Sequence, residues 1–183
     1  NHAIAAAAVT SLEANGHQVF LHDLYEEGFD PVLTKAEISE EEVSDPVIKA
    51  HCDEVTAADG YIVVHPNWWG QPPAAMKGWV DRALRYGVAY SFTEKDGEEV
   101  GVGLLKGRKA LVFNTCMTTE ENDRSHYGDP LENLWNNCVF GFCGVTDFQR
   151  RNFRMVQTIS QEARQEMLDE VRATVDSVFP VGA

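Results

Sequence analysis

The stretch that decides the fold runs from Gly60 to Phe92 and reads GYIVVHPNWWGQPPAAMKGWVDRALRYGVAYSF. Tyr61 to Val64 is a short apolar, β-branched run set between Gly60 and Pro66, the pattern of a strand buried on both faces. His65, Pro66, Asn67, Trp68, Trp69 and Gly70 follow as a loop with two adjacent indoles. Pro72 and Pro73 then open a helix, where a missing N–H does no harm. Ligands of open parallel sheets gather beyond the carboxyl ends of the strands, so this stiff aromatic loop marks the place for a flat ligand.

Upstream of this stretch, Ile4, Ala8, Val9 and Leu12 recur at helical spacing over residues 2 to 14, with Asn1 at the N-cap position and Asn15-Gly16 as the stop. Gln18 to Asp23 (QVFLHD) predicts a strand, and the loop after it brings Phe29, Val32 and Leu33 back onto the core. The acidic run from Glu37 to Asp45 predicts a solvated helix face, and Pro46 starts a short helix carrying Val47, Ile48 and Val55.

Downstream, the helix opened by Pro72 has Met76, Val80, Ala83 and Leu84 on one side and a Lys77/Asp81 pair on the other. EKDGEE, residues 94–99, has hairpin turn chemistry. Lys109 to Thr115 is a second buried strand with Asn114, Thr115 and Cys116 at its carboxyl end, and a long polar loop is expected from Met117 to Gly128. Asp129-Pro130 opens a helix whose stripe is Leu131, Leu134, Trp135, Cys138, Val139 and Phe142, which assigns Cys138 to core packing. Val145 to Asn152 is polar, as an edge strand would be, and a last helix starts at Ser160. Alternating helices and strands define an α/β parallel sheet with right-handed crossovers, although a helix at the start leaves that sheet without the strand that should feed it.

Over 183 residues no linker or repeat divides the chain, so residues 1–183 form a single domain. A formal charge of −14 without a basic patch argues against nucleic acid and anionic membranes and leaves small ligands as partners. The Ala-rich start lacks the basic region of a signal peptide, no run reaches membrane-spanning length, and the four cysteines read as reduced, partly buried thiols, so a cytoplasmic location is expected. Cys52, Cys116, Cys138 and Cys143 match neither zinc nor CxxC spacing, and no other His, Asp or Glu group falls at metal-ligand spacing.

His65-Pro66-Asn67-Trp68-Trp69-Gly70-Gln71-Pro72-Pro73, then Met76-Lys77-Gly78-Trp79 and Ala89-Tyr90-Ser91-Phe92, together resemble the flavodoxin-like NAD(P)H:quinone oxidoreductases, the group that includes DT-diaphorase. DLYEEGFDPVL at residues 23–33, GDPLENLW from Gly128 and FCGV from Phe142 extend the resemblance over nearly the whole chain. It implies a three-layer fold with a five-stranded parallel sheet in the order 2-1-3-4-5 and helices on both faces. It implies a flavin at the carboxyl edge and a homodimer with both active sites at its interface. Asn1 looks like the last residue of the family's serine-phenylalanine-asparagine phosphate loop, which would put the first strand and most of that loop upstream of Asn1.

By position the resemblance assigns the flavin to Asn1, Ala3, Pro66, Asn67, Trp68, Trp69, Gly70, Asn114, Thr115 and Cys116. The family's Thr-Thr-Gly-Gly is absent at this last exit, so the backbone there meets the ring differently. Tyr90 and Phe92 resemble the aromatic pair that the partner subunit lays over the flavin, where nicotinamide and then quinone stack. Tyr127, or its neighbour His126, falls near the position of a family His that assists proton transfer. The implied activity is two-electron reduction of quinones, or of azo or nitro acceptors, by NADH or NADPH through bound FMN, with FAD as the alternative, in ping-pong fashion. A regulatory subunit of a potassium-efflux transporter and a one-electron flavodoxin-type carrier are the other readings.

Overall fold

The computed structural model describes residues 1–39 and 43–182. The chain forms, in order, α1 (His2–Ala14), α2 (Lys35–Ser39), α3 (Pro46–Ala57), β1 (Gly60–Pro66), α4 (Ala74–Ala83), β2 (Tyr90–Lys95), β3 (Glu98–Gly103) and β4 (Lys109–Cys116). Then come α5 (Glu120–Tyr127), α6 (Pro130–Glu132) running into a π-helix (Asn133–Gly141), β5 (Asp147–Arg154) and α7 (Gln161–Val178).

β4 lies between β1 and β5, parallel to both, with Gly60 beside Lys109 and Pro66 beside Thr115. Successive side chains of a strand face opposite ways, so β4 feeds two cores. Leu111 and Phe113 pack with Ile4, Ala8, Val171 and Val175 of α1 and α7, while Ala110 and Val112 pack with Leu131, Trp135 and Phe140 on the other face. Helices thus cover both faces of the sheet.

Of the five parallel strands that the resemblance implies, one of them upstream of Asn1, three form among the described residues, and β2 and β3 make a separate antiparallel pair. Its two-residue loop, Asp96 at φ +56° and Gly97 at φ +83°, is the type I′ turn that DG chemistry favours. Gln18 to Asp23, expected as a strand, is irregular. A strand exists only by bonding to a neighbour, and among the described residues this segment pairs with none, leaving Phe20 and Leu21 half exposed.

Four further expectations are corrected. Met117 to Gly128 is not a loop throughout: Thr119 caps α5 by accepting from the Asn122 amide, and Gly128 closes it in the left-handed region. Cys138 and Phe142 are exposed, because the π-helix bonds i to i+5, as from the Phe142 amide to the Asn137 carbonyl, and turns the α-helical stripe off the core. The acidic run is not all solvated. Glu37 and Asp45 neutralise the buried Arg82 at 2.8 and 3.0 Å; residues 40–42 of that run lie outside the described residues. Of the loop residues meant for the core, Phe29 is buried but Val32 and Leu33 stay exposed.

Polarity in β5 is likewise more than edge solvation. Arg150 is buried against Asp129 and Glu132, and Arg154 pairs with the buried Asp123 at 2.7 Å. These pairs tie β5 to the helices before it.

Candidate active site at the carboxyl edge of the sheet

β1 and β4 end level with each other, and their exits are stitched together. The Asn67 amide donates to the Thr115 carbonyl at 2.7 Å, and the Thr115 hydroxyl donates to Asn1 Oδ1 at 3.2 Å. Asn1 occupies the N-cap position of α1 without capping it, since its side chain is turned to Thr115. The first-turn amides of α1, Ala3 among them, therefore have no side-chain acceptor and face the same edge.

Beyond Asn67 the chain reverses in a tight loop. Trp68 and Gln71 exchange two backbone bonds of 2.9 Å, while Trp69 and Gly70 both have positive φ, +55° and +73°. This is a type I′ turn, and Asn67 Oδ1 braces it by accepting from the Gly70 amide at 2.8 Å. A Cβ at Gly70 would lie 2.6 Å from Pro130 Cγ, so the turn sits directly on the start of α6. A Trp at positive φ costs about 1–3 kcal/mol, a strain that concentrates at functional sites. The indoles gain no burial in exchange: Trp68 is 60% and Trp69 98% exposed.

Beneath the turn lies a polar network. His65, at 2% exposure, donates from Nδ1 to the Pro66 carbonyl at 2.8 Å. Its Nε2 accepts from Trp135 Nε1 at 2.9 Å and from Asn114 Nδ2 at 2.7 Å, and Asn114 Oδ1 accepts from Arg150 at 3.0 Å. Burial, reinforced by the Arg150 charge and opposed only by the Pro66 bond, pushes the His65 pKa down to about 4. The imidazole is neutral with a single tautomer, which holds the Pro66 carbonyl and so the root of the aromatic turn. Nothing in the sequence announces this network, because its members are 36 to 70 residues apart.

The remaining expected site residues divide into groups. Asn114 is wholly buried, its side chain spent in the network rather than offered to a ligand, and Cys116 is buried with its thiol toward the Thr118 carbonyl. Tyr90 and Phe92 of the hairpin join Tyr86 and Phe142 in an aromatic patch, with Tyr86 and Phe92 stacked at 6.3 Å. His126 and Tyr127 lie on the exposed face of α5, and Ser125 is the hydrogen-bonding neighbour of His126. A polar groove of about 540 Å³ runs along β5 past Asp129, Arg150 and Arg154; Arg150 is already paired with Asp129 and Arg154 with Asp123.

A helix-covered parallel sheet with a strained aromatic turn and an uncapped helix N-terminus at its carboxyl edge defines the flavodoxin-like class. The family profile described as a flavodoxin-like fold matches residues 1–175. The chain is 31% identical over 161 residues to an uncharacterized NAD(P)H oxidoreductase of Haemophilus influenzae, covering 86% of this chain and 77% of the other. It is 26% identical over 205 residues to NAD(P)H dehydrogenase (quinone) 1 of Rattus norvegicus, at 98% and 72% coverage. It is 27% identical over 155 residues to an FMN-dependent NADH:quinone oxidoreductase of Caldicellulosiruptor saccharolyticus, at 79% and 72% coverage. The crystal structure of Smu.1420 from Streptococcus mutans superposes with a TM-score of 0.80 at 26% identity, over 96% of this chain and 93% of that one. The chain belongs to the flavodoxin-like NAD(P)H oxidoreductase family. Among the described residues no helix is long and apolar enough to cross a membrane.

Proposed function

We propose that the chain catalyses the two-electron reduction of quinones, or of similar aromatic acceptors, by NADH or NADPH through a bound flavin. The observation that carries this reading is the meeting of Asn1, Asn67 and Thr115 beside two solvent-facing indoles on a braced turn. The donor set fits FMN, the flavin named for the Caldicellulosiruptor relative, at both ends. Amides at the uncapped start of α1 suit a phosphate, and fixed loop amides with indole faces suit a flat ring.

A flavin held here supplies hydride acceptance from the nicotinamide and hydride donation to the quinone, chemistry that no side chain offers. The protein holds and orients. Asn1 and the Ala3 amide would hold the phosphate, and Pro66 to Gly70 together with Thr115 and Cys116 would hold the ring. Asn114 acts from below, by fixing His65. In a homodimer the aromatic patch of one subunit would cover the other's flavin site, where Tyr90 and Phe92 would exclude water and stack the two substrates in turn. The Tyr127 hydroxyl donates to the reduced quinone oxygen, with His126 beside it as a proton source.

Purified protein should carry, or take up, one flavin, identified by mass after release, and initial velocities in both substrates should give parallel lines. Trp68→Ala should weaken flavin binding by about tenfold. Tyr90→Ala should lower kcat with the flavin retained. A preparation that takes up neither FMN nor FAD would sink the reading.

A further inference from the structure

Two imidazoles and two carboxylates converge between residues 22–27 and α3. His22 Nδ1 lies 3.0 Å from Glu27 Oε1, and His22 Nε2 lies 2.5 Å from Glu54 Oε2. His51 Nε2 is 3.9 Å from Glu27 Oε2, and the two imidazole rings are 4.2 Å apart. One ligand atom each from His22, Glu27 and His51 falls within 4.8 Å of the others.

We propose that His22 Nδ1, His51 Nε2 and the Glu27 carboxylate bind one divalent transition-metal ion, with Zn²⁺ and Ni²⁺ the expected occupants. Ligands about 2.0–2.2 Å from a tetrahedral ion stand roughly 3.3–3.6 Å from one another, so small side-chain movements close this triangle. Two imidazoles and one carboxylate select that class of ion over Ca²⁺ and Mg²⁺, which prefer all-oxygen shells. Glu54 completes the arrangement from outside. By accepting from His22 Nε2–H it leaves the Nδ1 lone pair for the metal, the carboxylate–histidine–metal relay of zinc sites.

A purely hydrogen-bonded cluster accounts for both nitrogens of His22 but not for Nε2 of His51. Glu27 is too far from His51 Nε2 for a hydrogen bond, yet His51 is 4% exposed and points that nitrogen at the carboxylate. The other three side chains are each about a third exposed, leaving a path in and room for water on the ion. A divalent charge also balances the two carboxylates against two neutral imidazoles. Because Gln18 to Asp23 pairs with no strand among the described residues, a metal joining His22 to His51 fixes this segment to α3.

The geometry also dictates a signature. Trp79 Nε1–H donates to His51 Nδ1 at 3.4 Å. A metal on Nε2 moves the imidazole proton to Nδ1, so the Trp79 indole N–H loses its acceptor.

The test uses protein without a histidine tag, stripped with EDTA and titrated with ZnCl₂ and NiCl₂ by calorimetry, thermal melting and NMR of the indole N–H signals. One ion per chain, a higher Tm and a shift of the signal that Trp79→Phe removes are expected. His22→Gln and Glu27→Gln, at exposed positions where circular dichroism can verify the fold, should each weaken binding about tenfold or more. His17→Gln, remote from the cluster, should leave binding unchanged. Failure of either ion to saturate, or binding undiminished in both cluster variants, overturns the proposal, whether or not the protein holds a flavin.

Discussion

His65 carries more of the site than its plain sequence context suggests. Its Nε2 faces two donors, so a proton there would meet Trp135 and Asn114 head-on. The unfolded chain accepts that proton near pH 6.5, and the folded chain only near 4. Above 6.5 both forms are neutral and stability is unaffected; as pH falls from 6.5 to 4 the unfolded state gains, by roughly 3 kcal/mol in total, and below 4 the loss levels off. Urea unfolding of the wild type and of His65→Gln across pH 4 to 7.5 checks this: the stability advantage of the wild type should shrink by about that amount toward pH 4. A constant difference would mean that His65 is not held neutral. That a stiff aromatic loop follows β1 could be read from Pro66, Trp68 and Trp69 alone. What the turn rests on could not, since Trp135 is 70 residues from His65 and reads as one more apolar residue of a stripe.

The fit between elements sets a second expectation, at Gly78 on α4. Alanine is the better helix former by about 1 kcal/mol, which taken alone would stabilise α4. Yet a Cβ there would lie 2.3 Å from Pro31 Cα and 2.4 Å from the Pro31 carbonyl oxygen, and backbone yields little. The adjacent segment is also pinned, since Arg82 donates to the Asp30 carbonyl at 2.6 Å. Overpacking costs about 1–3 kcal/mol and outweighs the propensity gain. Gly78→Ala should therefore lower the Tm by several degrees in a thermal melt; a rise would show that the 30–33 segment gives way freely. Elements governed by local rules were readable in advance, as with the DG hairpin. α5 had its signals too: Thr119 as cap, acids in the first turn, Arg124 and His126 in the last, and Gly128 beyond. The π-helix gave none, for a stripe of Leu131, Leu134, Trp135 and Cys138 satisfies an α-helical period equally well, and only the packed ends reveal the wider winding.

For the whole molecule, helix–strand alternation was enough to give the layered α/β class, because buried parallel strands write themselves as apolar runs. Strand number was not readable: QVFLHD has the composition of a strand, but forming one depends on a neighbour and not on its own residues. Charge was readable only as a sum. Arg82 and Arg150 are buried and Arg154 half-buried, each already paired with carboxylates, so they leave the excess of acids at the surface uncompensated. This bears on how fast the nicotinamide donor arrives. The donor is itself an anion, and it must approach a molecule of formal charge −14, in which 29 acidic side chains outnumber 15 basic ones. Raising ionic strength from about 0.01 to about 0.1 M shortens the reach of that repulsion from roughly 30 to 10 Å. Salt should accordingly raise kcat/KM for the donor while leaving kcat unchanged, opposite to the response of an enzyme that attracts its substrate by charge.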